Sequence, residues 1–270
     1  MKRTLLIAIF IILVFSACDD AELNTEMYVQ ENIVEEVMLD YIVIGDEQFS
    51  ISLSELFLRD KNLTDSDIVA LRHMTNLIWL DLRGNQISDI SPLSNLTNLE
   101  RLNLRDNQIN DISPLSGLTN LSRVTLRGNQ IDDVSPLSYL VNMNDLNIRD
   151  NQISDISPLS NLVNLTELRL RDNQIRNISA LSSLTNLTYL DLRGNLIGDI
   201  SPLSSLRNLT QLDLRGNQIV ELAPLSNLRN LTGLNLRGNQ IRDDSPLSRL
   251  NLTELDLRDN PIPLDEQIND

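Results

Sequence analysis

Few residues of this sequence have the chemistry of a catalytic group. The chain contains one histidine, His73, and one cysteine, Cys18, so neither a Ser-His-Asp nor a Cys-His arrangement can be assembled convincingly. The lysines are Lys2 and Lys61, and no cluster of cysteines and histidines offers a zinc site. We therefore predict that the protein is not an enzyme, has no catalytic residue and uses no cofactor or metal.

Acidic residues recur at a fixed spacing and could bind Ca²⁺ weakly. The residues of this acidic column are Asp89, Asp111, Asp133, Asp155 and Asp199. A column with one charge per repeat is more often a solvated face whose carboxylates stabilise turns by hydrogen bonds, and we favour that interpretation.

Arginines recur at a second fixed position, which we call the arginine file. Its members are Arg59, Arg83, Arg105, Arg127, Arg149, Arg171, Arg193, Arg215, Arg237 and Arg258. On parallel strands about 4.8 Å apart, neighbouring charges repel by about 1 kcal/mol in water. Carboxylates at two nearby positions could offset this repulsion: Asp81, Asp191, Asp213 and Asp256, and Asp106, Asp150, Asp172 and Asp259. Two hypotheses remain open, a structural file that these carboxylates neutralise and a functional rail that binds anions.

A third position varies where its neighbours are constant, which is typical of side chains that are free of a role in the fold. This variable column holds Trp79, Arg101, Arg123, Asp145, Glu167, Tyr189, Gln211, Gly233 and Glu254. Tryptophan, tyrosine and arginine dominate binding hot spots. We predict a partner-binding site of Trp79, Arg101, Arg123 and Tyr189 with Arg83, Arg105 and Arg127. The alternative for Trp79 is that it packs against an N-terminal cap.

The elements that must position these columns follow from a repeat of 22 residues. Each unit contains Leu-x-Leu-x-x-Asn, as in Leu80–Asn85, and then apolar residues at every third position. The alternation predicts a short strand, while the spacing of three, with a proline such as Pro92 in most units, favours turns and 3₁₀ segments. We predict that the recurring asparagines satisfy backbone groups of adjacent coils. They are Asn85, Asn107, Asn129, Asn151, Asn173, Asn195, Asn217, Asn239 and Asn260.

The repeat closely resembles the leucine-rich repeats of the internalin family. Leu93–Leu99, Leu102–Leu104, Asn107–Ile109 and Asp111–Leu115 read like that family's consensus, and the resemblance covers about Leu56 to Leu264. It implies an α/β-type repeat solenoid, a right-handed coil with a parallel concave β-sheet and a convex side of turns and 3₁₀ segments. It also implies protein recognition on the concave face, although an intracellular phosphatase regulatory subunit has the same class of repeat.

The N-terminal sequence predicts the location of the protein. A basic start, a short apolar run and small residues before Cys18 are typical of a secretory signal peptide. Ser16-Ala17-Cys18 resembles the end of a bacterial lipobox, which implies lipidation of Cys18; a simple cleaved signal with an incidental cysteine is the alternative. We expect a signal peptide at 1–17, an acidic spacer at 18–40, a capping hairpin at 41–55, about nine to ten leucine-rich-repeat coils at 56–264 and a tail at 265–270.

These features predict an extracytoplasmic, membrane-anchored lipoprotein of the cell envelope or cell surface. We expect a monomer that binds a protein partner on its concave face, as an adhesin or envelope scaffold. The alternative is a receptor for an anionic cell-envelope polymer, such as an anionic polysaccharide, that uses the arginine file. The net charge of −16 opposes binding to nucleic acid.

Overall fold

The computed structural model describes residues 40–263. The predicted signal peptide, Cys18, almost all of the acidic spacer, Leu264 and the tail therefore lie outside the described residues. None of the helices between residues 40 and 263 has the length and apolar character that a bilayer crossing requires.

Two sheets make up the β structure of residues 40–263. In the first, β1 (Tyr41–Ile44) and β2 (Glu47–Ser50) pair antiparallel as a hairpin. The second is a parallel sheet of ten strands in chain order. Its strands are β3 (Glu55–Phe57), β4 (Trp79–Asp81), β5 (Arg101–Asn103), β6 (Arg123–Thr125), β7 (Asp145–Asn147), β8 (Glu167–Arg169), β9 (Tyr189–Asp191), β10 (Gln211–Asp213), β11 (Gly233–Asn235) and β12 (Glu254–Asp256).

Short 3₁₀ helices carry the chain back from each strand to the next, which confirms the predicted leucine-rich-repeat solenoid. They span Val69–His73, Ser91–Leu93, Ser113–Leu115, Ser135–Tyr139, Ser157–Asn161, Ser179–Ser183, Ser201–Ser205, Ala223–Leu225 and Ser245–Leu247. Proline stands in the first turn of most of these helices, where its missing N–H costs no hydrogen bond. The single α-helical turn in the described residues, α1 (Asp65–Ile68), belongs to the longer first coil.

The core is one continuous column of leucine and isoleucine side chains. In the coil that begins at β4, Leu80, Leu82, Ile87 and Leu93 are fully buried. Ile42 and Ile44 of β1 belong to the same apolar cluster, so the hairpin packs against the first coil. A coil of this size buries its apolar residues only between two neighbours, and its stability is therefore a nearest-neighbour sum.

The recurring asparagines connect the backbones of consecutive coils. Asn107 Nδ2 donates to the carbonyl oxygens of Leu82, at 3.1 Å, and Leu104, at 3.0 Å. Its Oδ1 accepts from the Ile87 N–H of the preceding coil at 3.1 Å. The same contacts recur at Asn85, Asn129, Asn151, Asn173, Asn195, Asn217, Asn239 and Asn260. In the first coil Lys61 occupies the asparagine position. Its backbone N–H donates to Asn85 Oδ1, as the N–H of Leu63 also does.

The residue after each file arginine bends the chain off the strand with a positive φ. Aspartate or glycine occupies this position, as at Asp60 (φ 53°) and Gly84 (φ 68°), because bulkier residues rarely adopt this conformation. Size matters here as well, since a Cβ on Gly84 would lie 2.0 Å from Asp60 Oδ1. The bend fixes the direction in which the preceding arginine leaves the sheet.

Removing one ladder asparagine tests its role in the stack. We expect Asn151→Ala to lower the free energy of unfolding by roughly 1–3 kcal/mol, because it leaves buried backbone groups of two coils unpaired. The matched control is Asn142→Ala, since Asn142 also reaches the preceding coil, donating to Thr119 O at 2.9 Å, but is exposed. Urea denaturation of the full-length variants measures both. Equal losses in the two variants would contradict a special role for the ladder.

Candidate functional site

The parallel register places one variable residue per coil along the concave face. Trp79 pairs with Arg101, Arg101 with Arg123, and Arg123 with Asp145. The series continues through Glu167, Tyr189, Gln211, Gly233 and Glu254. The face therefore begins with aromatic and basic side chains and continues with acidic and polar ones.

Trp79 lies in an aromatic and cationic cluster at the N-terminal end of this face. Its ring meets the ring of Phe57 edge-on, with the centroids 4.6 Å apart. The Arg101 guanidinium lies 5.6 Å from the centroid of Trp79, and that of Arg59 lies 5.0 Å from the centroid of Phe57. Phe57 remains 41% exposed. Trp79 thus packs on the first strand of the parallel sheet, in a cluster that is open to solvent. We call these four residues the N-terminal cluster.

Carboxylates partner most of the arginine file. Arg127 Nε lies 2.7 Å from Asp150 Oδ2, and Arg193 contacts both Asp191 and Asp213. The other pairs are Arg59–Asp81, Arg105–Asp106, Arg171–Asp172, Arg237–Asp259 and Arg258–Asp256. All eight aspartates named from the sequence are therefore in ion pairs. Among residues 40–263, the file arginines without such a pair are Arg83, Arg149 and Arg215, each three coils from the next.

Two of these aspartates lie beneath the surface of the concave face. Asp81 and Asp191 are 2% and 1% exposed. Burial raises the pKa of Asp191 above its ordinary value, and the neighbouring Arg193 only partly opposes that rise. Asp191 Oδ1 accepts from the Arg193 N–H at 3.3 Å, whereas its Oδ2 lies 3.2 Å from Arg193 Nη2 in an ion pair that lacks hydrogen-bond geometry. The neutralisation of the file therefore has a desolvation cost at this coil.

At the centre of the concave face, the guanidinium of Arg169 contacts carboxylates of the same chain. Arg169 Nη1 donates to Asp145 Oδ1 at 2.8 Å, and its Nη2 donates to Glu167 Oε2 at 2.5 Å. Its guanidinium carbon lies 4.8 Å from the centroid of the Tyr189 ring. Burial raises the pKa of Asp145, against the lowering effect of Arg169. These four residues form the central arginine site, in which two carboxylates and an aromatic ring surround a cation.

The remaining candidate residues have roles in turns or at the surface. His73 is exposed at the end of a 3₁₀ helix. Asp111 Oδ1 accepts from the Ser113 N–H at 2.8 Å, and its Oδ2 accepts from the Ser113 hydroxyl at 3.0 Å. Asp89, Asp133, Asp155 and Asp199 make the same two bonds. Across residues 40–263 no group of acidic residues or histidine is arranged to hold a metal ion.

Sequence reasoning missed two residues of these clusters. Phe57 stands where most coils have a small polar residue, and Arg169 is the one basic residue at the middle strand position of the sheet. Both departures from the repeat are visible in the sequence. The structure does not bring the predicted binding residues into one contact group, because Tyr189 belongs to the central site and Trp79 to the N-terminal cluster.

The repeats match a known sequence family. The family described as "Leucine Rich repeats (2 copies)" matches residues 75–117, 97–139, 119–161, 163–205 and 207–249, and "Leucine Rich repeat" matches residues 250–262. A search among curated proteins found no match.

Solved structures with the same fold include two internalins of Listeria monocytogenes. Internalin InlF is 35% identical, with a TM-score of 0.68 over 80% of this chain and 71% of that one. Internalin C2 is 33% identical, with a TM-score of 0.63 over 78% of this chain and 85% of that one. A leucine-rich-repeat protein of Leptospira interrogans is 26% identical, with a TM-score of 0.62 over 74% and 59%. Leucine-rich-repeat proteins related to internalins are protein-interaction modules.

The raised pKa of Asp191 predicts that replacing it with the neutral asparagine stabilises the protein, by an amount that depends on pH. We expect Asp191→Asn to raise the free energy of unfolding at pH 7, because the folded state disfavours the charged carboxylate. The gain should shrink as the pH falls through the raised pKa and vanish below the unfolded value of about 3.9. Denaturant titrations between pH 7 and pH 4 measure it.

The control variant should have the opposite effect on the free energy of unfolding. The Ser201 N–H, followed by its hydroxyl, lowers the pKa of Asp199. Asp199→Ala should therefore lower stability at pH 7, and that loss should disappear as the pH falls through the lowered pKa. An Asp191→Asn variant that is less stable than the wild type at pH 7 would show that the buried carboxylate stabilises the fold.

Proposed function

Because the chain belongs to the internalin-like leucine-rich-repeat proteins, we propose that it is an extracytoplasmic module that binds a protein partner on its concave face. An adhesin or an envelope scaffold is the role that fits such a module. The observation that carries the proposal is the N-terminal cluster, where the exposed ring of Phe57 and the half-buried ring of Trp79 lie between two arginines.

The composition of this cluster is that of a binding hot spot. Aromatic rings supply large contact areas at a small cost in side-chain entropy, and aromatic residues and arginine dominate the energetics of protein interfaces. Arg101 and the neighbouring Arg123 are exposed beside the aromatic pair. No requirement of the stacked core explains Phe57 and Trp79, since the equivalent strand positions hold small or polar residues in most coils. A partner that covers the pair would bury apolar area and leave the cations at its rim.

The receptor for an anionic polymer is the less favoured alternative. A polyanion needs a continuous row of available cations, whereas carboxylates of the same chain pair with most of the arginine file. The file arginines outside such pairs, Arg83, Arg149 and Arg215, are about 14 Å apart, as three strand spacings require. Carboxylates next to the paired arginines would also repel an anionic chain.

Membrane attachment through Cys18 completes the proposal. The support is the sequence at the N-terminus, where a basic start and an apolar run precede Ser16-Ala17-Cys18. A diacylglyceryl group on this cysteine supplies two acyl chains, which are enough for stable anchoring.

The partner site is tested by photo-crosslinking in cells of the source organism. Full-length protein with a photoreactive residue at Arg123 should give a discrete protein adduct, and one at Asn120, an exposed residue of the turn before β6, should not. We expect Trp79→Ala and Arg101→Ala each to reduce the adduct about 10-fold, a loss of roughly 1.4 kcal/mol or more. Arg229→Ala removes an exposed arginine elsewhere and should leave the adduct unchanged.

Two results of this experiment would contradict the site. Adduct that is equally strong from Asn120, or that persists in Trp79→Ala, places the partner elsewhere. A melting temperature that falls as far in Trp79→Ala as in Asn151→Ala makes Trp79 part of the fold. Loss of binding at about 0.5 M salt, where the Debye length is only a few ångströms, would favour the anionic polymer instead.

The anchor is tested at the thiol. The chain contains no cysteine other than Cys18, so Cys18→Ala should abolish incorporation of labelled fatty acid and release the protein from the membrane fraction or block its processing. Labelling in growing cells followed by fractionation measures both effects. Unchanged labelling and unchanged membrane retention in the variant would exclude the anchor.

A further inference from the structure

A pocket of about 490 Å³ opens on the concave face near its C-terminal end. Its volume lies in the range of about 300–1,000 Å³ that is usual for small-ligand sites. Tyr189, Gln211 and Glu254 line it from the variable column, and Asp213, Asn235 and Asp256 line it from the middle strand position. We call it the Gly233 pocket, because Gly233 lies at its floor.

The pocket exists because one coil has no side chain in the variable column. Gly233 has no positive φ, so backbone conformation does not require glycine at this position. The space is nonetheless shaped by a neighbour, since a Cβ on Gly233 would lie 2.0 Å from Gln211 Oε1. Trp79 and Tyr189 show that the same strand position accepts large side chains elsewhere in the sheet. The Gln211 side chain lies over Gly233 where a Cβ would be, and the open space of the pocket lies beside it, between Gln211 and Glu254.

The charge around this room favours a cation. Three carboxylates and no arginine or lysine line the pocket. Asp213 and Asp256 already contact Arg193 and Arg258 of the file. Glu254 is exposed and, within residues 40–263, contacts no arginine or lysine. Its carboxylate is available to a group that enters the pocket.

The central arginine site shows how side chains of the concave face bind a cation. In the central arginine site, Arg169 lies between Asp145 and Glu167 and against the ring of Tyr189. The Gly233 pocket is lined by groups of the same kinds, with Tyr189 on β9 at one side, Gln211 and Asp213 on β10, and Glu254 on β12 at the other side. What it lacks is a guanidinium, because the middle position of β11 holds Asn235 where β8 holds Arg169.

We propose that the Gly233 pocket binds an arginine side chain presented by the protein partner, with the guanidinium against Glu254 and beside Gln211. The inference rests on the proposed function and extends it by giving the chemistry of the partner at the second end of the face. A planar guanidinium suits the pocket because it can donate to a carboxylate and to an amide oxygen at the same time.

The two ends of the face then fix the orientation of the partner. Arg101 lies on β5 and Gly233 on β11, and six strand spacings separate them by about 29 Å. A partner that fits both ends carries an apolar surface with acidic groups opposite the N-terminal cluster and an arginine about 29 Å away. The reversed orientation would bring its arginine against Arg101 and Arg123, where like charges repel.

The pocket can be tested with a small probe and the full-length chain. The chain has nine glycines, so protein labelled with ¹⁵N-glycine gives a simple amide spectrum, and the Gly233 signal is the one absent from Gly233→Leu. The probe is N-acetyl-arginine methylamide, and its neutral isostere N-acetyl-citrulline methylamide is the control. We expect the arginine probe to shift Gly233 saturably, the citrulline probe to shift it much less, and Gly117, on the convex side, not to move.

Variants localise the effect. Glu254→Gln should weaken the probe about three- to fivefold, as the loss of one partly exposed ion pair predicts. The matched control, Glu221→Gln, removes an exposed carboxylate from a turn and should bind the probe as the wild type does. In Gly233→Leu the side chain fills the pocket, so the arginine probe should no longer bind, while the melting temperature stays near that of the wild type.

Three outcomes would overturn the proposal. They are equal shifts from the two probes, a shift of Gly117 as large as that of Gly233, and an unchanged affinity in Glu254→Gln. The measurement needs no partner protein, so its failure is distinct from failure of the crosslinking at Arg123. A crosslink that depends on Trp79 together with an unresponsive pocket would leave the proposed function standing and remove only the arginine subsite.

Discussion

No coil of this protein can satisfy its own backbone, and the rest of the structure depends on that constraint. Each strand of the parallel sheet has three residues, and its hydrogen bonds go to the neighbouring coils. At the bend after the strand, an asparagine amide donates to two carbonyl oxygens and accepts one N–H, with one of the carbonyls and the N–H on the preceding coil. Unpaired backbone groups in a buried bend would each cost roughly 1–3 kcal/mol. The amide is therefore repeated wherever the bend is repeated, and the repeat length is fixed with it.

This fixed geometry turns each sequence position into a column on the surface. A column has an electrostatic consequence that a single residue does not have, because any charge at that position recurs every few ångströms. The arginine file shows the consequence and its remedy. Aspartates at the middle strand position and after the bend pair with the file, and Asp191 is buried deeply enough that its pKa rises. The concave face is therefore less positive than its arginines indicate, and its chemistry lies in the variable column.

The sequence was sufficient to predict what the period controls. The strands and the 3₁₀ turns follow from spacing and residue type, and the structure contains both. Spacing was not sufficient for contacts that depend on the sizes of side chains in neighbouring coils. Phe57 contacts Trp79 across two neighbouring strands. The pocket at Gly233 is bounded by Gln211 on one neighbouring strand and by Glu254 on the other. Such contacts require the register and the rotamers, which a single sequence does not specify. Cys18 lies outside the described residues, so its lipidation remains a prediction.

The two ends of the stack are protected differently. Ile42 and Ile44 of the hairpin cover the first coil, whereas Leu255 of β12 is 46% exposed and Leu250, Leu252 and Leu257 are only partly buried. In a one-dimensional stack, opening begins at the coil with the fewest contacts and spreads inward one coil at a time. Amide exchange would therefore be fastest at β12 and slowest in the middle coils. A ligand held between Gln211 and Glu254 would connect the coils of β10, β11 and β12. It would therefore slow amide exchange in these last coils first and stabilise the end of the stack that opens most easily.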